Sequence, residues 1–80
     1  MSPDLTVLAA EALFASIVQP SERPSPADVD AAVTASLLRH GSDGCAELVA
    51  QEYGDHPESA TARMRWCLTA VEAAQLAAVR

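Results

Sequence analysis

Apolar side chains return every three or four positions along most of this chain, and nowhere do they alternate as a half-buried strand would. That periodicity, with the caps and breakers between its runs, predicts four helices over approximately 3–18, 26–39, 43–53 and 57–78. Ser2 is placed to cap the first, with Pro3 at its first position and Asp4 in the first turn, where a negative charge is favoured. Leu5, Leu8, Ala9, Ala12, Leu13 and Ile17 form its expected core face, and the proline-rich stretch "QPSERPSP" ends it. Ser25, Pro26 and Asp28 spell a capping box for the second helix, whose inward residues are Val29, Val33 and Leu37. Gly41, just after His40, reads as its stop.

A third helix is predicted from Ser42 or Asp43, with Cys45, Leu48 and Val49 inward and Gly54 at its end. Asp55 then caps the fourth, with Glu58 three residues on and Pro57 in the first turn. Ala60, Met64, Cys67, Leu68, Val71 and Ala78 give that helix a stripe of period 3.6. The expected fold class is all-α, a compact bundle of about four helices forming a single domain over residues 1–80.

Two surfaces exceed what the core needs. The first helix carries a second apolar stripe, Val7, Phe14 and Val18, broken by Glu11. A helix apolar nearly all round is either central in its fold or covered by another chain. On the fourth helix, Trp66 points away from the core stripe and shares its face with Ala62, Ala70, Ala73 and Ala77. Alanines let a second helix approach closely, and tryptophan is a frequent interface anchor; the alternative is that this face packs on the first helix within one chain. The expected protein interface is therefore Val7, Phe14, Val18, Trp66, Ala70 and Ala73.

Composition favours the same reading. Half of the 80 residues are apolar, but only three are aromatic, and alanine buries little area. A thin core of this kind is commonly reinforced by oligomerisation. The net charge of −6, with no lysine, opposes binding to phosphate backbones and to anionic membranes. Residues 5–18 resemble the apolar part of a signal peptide, yet no basic residue precedes them and Glu11 interrupts them. A cytoplasmic protein with two reduced thiols is expected.

The stretch "YGDHPESATARMRW", Tyr53 to Trp66, raises the alternative of a helix-turn-helix DNA-binding regulator using residues 46–66. Ala50, Gly54 and Ala60 fall at the offsets where such a motif wants a small residue, a turn glycine and an apolar residue. Against it, Asp55 stands where the turn buries an apolar side chain. Arg63 stands where the core residue belongs, one position from Met64. A plain hinge accounts for each feature, with Arg63 and Arg65 solvated.

Candidate chemistry is sparse. His40, Cys45, His56 and Cys67 lack the closely spaced ligand pairs of a zinc site. Cys45 near a helix start has no histidine placed as its base, and a buried small hydrophobe explains it. Asp55 and His56 are adjacent and diverge. No catalytic residue, metal ligand or cofactor is assigned.

The segment "GCAELVAQEYGDHPESATARMRW", residues 44–66, together with the upstream "LFASIVQPSERPS", resembles sequence shared by small uncharacterised actinobacterial helical proteins. That resemblance implies no activity. The expectation is a non-enzymatic, cytoplasmic interaction module that pairs with itself as a homodimer or with another protein, without nucleic acid, membrane or cofactor.

Overall fold

A computed structural model of the chain describes residues 3–78. It is all-helical: α1 is Pro3–Phe14, α2 is Pro26–Asp55 and α3 is Pro57–Ala78, with a 3₁₀ turn at Pro20–Glu22 between the first two. Three helices, not four, make the bundle. The glycine break lies where the sequence placed it, at Gly41, but it occupies one residue and no connecting loop. Gly41 has φ 69° and ψ 170°, so α2 is one 30-residue helix bent into two arms. Only glycine takes up that backbone region readily. At the same bend, a Cβ on Gly44 would lie 3.0 Å from the Cβ of His40.

Two other boundaries differ from expectation. α1 ends at Phe14, four residues short of Val18. Ser16 competes for the backbone there: its hydroxyl donates to the Leu13 carbonyl at 2.6 Å and accepts from the Val18 N–H at 3.2 Å. Local bonds of this kind offer the chain an alternative to helix. The later joint is also displaced. Gly54 and Asp55 both belong to α2, which closes at His56. A residue preceding proline is pushed out of the helical region, so the His56–Pro57 pair sets the stop and Gly54 does not. The Ala60 N–H then donates to the His56 carbonyl at 2.9 Å, opening α3. Asp55, expected as the cap of that last helix, is instead the final residue of the one before it.

The predicted cap at Ser25 forms in full. Asp28 N–H donates to Ser25 Oγ and Ser25 N–H donates to Asp28 Oδ2, each at 3.1 Å. The cap predicted at Ser2 lies outside the described residues. No helix among those described is long and apolar enough to cross a membrane.

The three helices pack on one another, and the fully buried Ala10, Ala12 and Leu13 lie on α1. Ala10, Leu13 and Phe14 meet Val29 and Ala32 from the first arm of α2, Val49 from the second, and Ala60, Cys67, Val71 and Ala74 from α3. The later part of α1 is thus packed from three sides within one chain, while Leu5, expected in the core, and Val7 each stay 51% exposed near its start. Ile17, expected in this core, is 87% exposed because the helix has ended before it.

Candidate interaction surface

The six residues expected at an interface separate into two groups. Phe14 is only 5% exposed. Its ring stacks on Tyr53 with centroids 6.4 Å apart and planes inclined by 16°. Val18 is half-buried and packs on the core. Only Val7 of that stripe keeps substantial exposure, at 51%. Phe14 and Val18 of the second stripe thus pack into the core, Phe14 beneath Tyr53 of α2, while Val7 does not.

On α3 the arrangement is different. Ala62, Ala73 and Ala77 are exposed, while Trp66 and Ala70 are half-buried at the edge of the core. Leu76, one turn from Ala73, is 70% exposed. Residues 62, 66, 70, 73 and 77 are spaced by four, four, three and four, so they share one face of the helix. Exposed Arg65 and Glu72 flank this seam with opposite charges.

Arg63 is not solvated, contrary to expectation. Its Nε donates to the Phe14 carbonyl at 3.1 Å. Nη2 donates to the carbonyls of Ser16 and Val18, each at 3.0 Å, and to Leu13 at 3.4 Å. These carbonyls lie at and just beyond the end of α1, Leu13 also accepting from Ser16, and a cation is favoured there by the helix dipole. The guanidinium carbon also lies 5.5 Å from the Phe14 ring centroid and 5.8 Å from that of Trp66. Arg63 fastens α3 to the end of α1 and holds Trp66 at the edge of the seam. Arg65, two positions on, is exposed as expected.

A signal for Arg63 was present in the sequence. It lies three residues after Ala60 and four before Cys67, both of which are buried. An arginine so placed flanks the core, where it finds carbonyl acceptors more readily than solvent.

Beside Arg63 opens a cleft of about 470 Å³, lined in part by Phe14, Ser16, Gln51, Glu52 and Ser59. Its one cation is already committed to backbone carbonyls. Both cysteines are buried and neither forms a disulfide. Burial pushes the Cys67 thiol up to about 11, against a smaller opposing effect of Arg63. Burial, with Glu11 adding to it, also raises Cys45, whose Sγ lies 3.7 Å from the Ser36 carbonyl. Thiols shifted this way stay protonated at neutral pH and are poor nucleophiles. Among the described residues, no three His, Cys, Asp or Glu side chains are grouped to hold a metal ion.

Comparison of the chain with protein-family models, with curated proteins and with solved structures finds no match in any of the three.

Proposed function

We propose that this protein is a non-enzymatic, cytoplasmic interaction module that pairs with a second copy of itself through the outer face of α3. The observation that carries the reading is the exposed face of α3 formed by Ala62, Ala73, Ala77 and Leu76, with half-buried Trp66 and Ala70 at its edge. An antiparallel two-fold pair centred near Ala70 sets Trp66 of each copy against the alanines at 73 and 77 of the other. Such an interface is self-complementary, as two-fold symmetry requires. The same pairing brings Arg65 of one copy towards Glu72 of the other, and flanking charges of this kind fix orientation.

Charge distribution favours a second copy as the occupant. The chain carries −6, and two copies repel wherever that charge is concentrated. α3 is the exception, since Glu58 and Glu72 are balanced by Arg63 and Arg65.

Sedimentation across a hundredfold range of concentration tests this. The expected result is a reversible dimer that Ala73→Glu converts to monomer with its helix content unchanged. A natural chain that stays monomeric at the highest concentration, with Trp66 fluorescence indifferent to dilution, overturns the proposal.

A further inference from the structure

A straight helix of thirty residues measures about 45 Å, but the longest dimension of this molecule is 39 Å. α2 fits only because it bends at Gly41. The sharpness of the bend shows at Ser36 and Cys45, which stand about 13 Å apart along a straight helix axis. Here the Cys45 sulfur reaches to 3.7 Å from the Ser36 carbonyl.

Gly41 divides the chain into two halves, and a large share of the core contacts runs between them. Phe14 stacks on Tyr53, Arg63 holds the end of α1, and Gln75 Nε2 donates to Thr6 Oγ1 at 3.3 Å. Val29 and Ala32 share one core with Cys67, Val71 and Ala74. When they part, Ala10, Leu13, Phe14, Val29 and Ala32 of one half lose the cover of Val49, Ala60, Cys67, Val71 and Ala74 of the other. Either can recover every one of these contacts from the other half of a second copy.

We propose that Gly41 is the hinge of a segment exchange. When it takes helical dihedrals, α2 straightens, and residues 3–40 of each chain dock on residues 42–78 of the other. Only the hinge changes conformation. Glycine occupies both signs of φ with similar ease, so the closed and straight forms are both open to the natural chain. The weak helix formers Gly41, Ser42, Asp43 and Gly44 keep the closed form in excess. This exchange is independent of the α3 seam, which stays outward in either form.

The test replaces the hinge and reads which chain supplies each contact. A Cβ at position 41 meets no atom within 4 Å, so Gly41→Ala acts through the backbone alone. An L residue is strained at φ 69° yet comfortable in a helix, so the variant should straighten α2. T6C/Q75C chains are treated with a short bismaleimide, which joins the two positions within one chain in the closed form and between chains after exchange. Pairing through the α3 seam leaves the cross-link within one chain, so the two associations are distinguished.

The expected result is at least a tenfold rise in covalent dimer for G41A/T6C/Q75C over T6C/Q75C. D-alanine at position 41, introduced by chemical synthesis, accepts positive φ and should restore the cross-link within one chain. Should the L-alanine chain fail to fold, T6C/Q75C with its natural glycine is refolded at micromolar and at millimolar concentration. Cross-links between chains should then increase at least tenfold at the higher concentration. An L-alanine variant that cross-links only within itself, or a refolding product independent of concentration, overturns the proposal.

Discussion

Arg63 donates from Nε to the carbonyl oxygen of Phe14 at 3.1 Å while its guanidinium carbon lies 5.5 Å from the ring of the same residue. One side chain thereby closes the end of α1 and covers its last apolar residue. The planar fork suits this task, since it presents several donors at once and a flat face to aromatic rings. No buried polar side-chain atom among the described residues is left without a partner.

Arg63→Ala should therefore destabilise the fold by roughly 2–3 kcal/mol, the range for hydrogen bonds made by a charged group. Half-burial moderates the loss, because water reaches some of the abandoned carbonyls. Lysine should recover less than half of it, having a single point of donation. Urea denaturation of Arg63→Ala, Arg63→Lys and the exposed control Arg65→Ala measures the three. Equal midpoints for the two alanine variants would remove Arg63 from its capping role.

Much of the fold was legible because its signals are local. The capping box at Ser25, the helix-forming stretches and the inward positions Val29, Cys45, Val49, Ala60, Cys67 and Val71 follow from spacing alone, and each of those six is buried. What local pattern does not carry is distance between elements. Gly41 announces a break, but whether the arms part or stay joined depends on their packing around α1. The fate of Phe14 and Val18 likewise depends on the second arm of α2 and on Arg63, residues about 35 to 50 positions away. Gly54 does not end α2, because the ring of Pro57 constrains His56 whatever precedes it. On α3, exposure of Ala62, Ala73 and Ala77 follows from their spacing away from the core stripe.

The helix-turn-helix alternative predicts binding to duplex DNA, and its geometry argues against that. A single residue, His56, separates α2 from α3, where such motifs use a turn of three or four residues. Arg63 is occupied by carbonyls, leaving Arg65 as the exposed cation of that segment. Titration with duplex DNA at low salt should show no saturable binding at micromolar protein. Submicromolar binding that weakens with salt and is lost in Arg65→Ala would restore the DNA-binding reading.

The burial of Phe14 makes a different prediction from the exposure of Ala73. Phe14→Ala should cost about 3–5 kcal/mol, as for other large aromatics truncated in cores. It should lower the unfolding midpoint even at concentrations where the protein is monomeric. Ala73→Glu should leave that monomer midpoint within about 0.5 kcal/mol of the natural chain, as surface changes do. If Phe14→Ala instead altered only the solution mass, α1 would be an interface helix after all.

The last prediction concerns alkaline pH and Cys67. Its thiol is held up to about 11 by burial, while in the unfolded chain it titrates near 8.5. A folded-state value above the unfolded one means that the folded form keeps its proton where the unfolded form has lost it. The stabilisation is complete below pH ~8.5 and declines as the pH rises through about 11. The loss should be on the order of 3–4 kcal/mol across that window, at about 1.4 kcal/mol per pH unit. Other groups ionise there too, so the comparison is with Cys67→Ala. That variant should be less stable at neutral pH, because it leaves a small cavity, but its stability should fall less steeply between pH 8.5 and 11. The two curves should converge as the thiolate forms. Parallel curves would show that the sulfur is not shielded from water as its burial between α3 and the core requires.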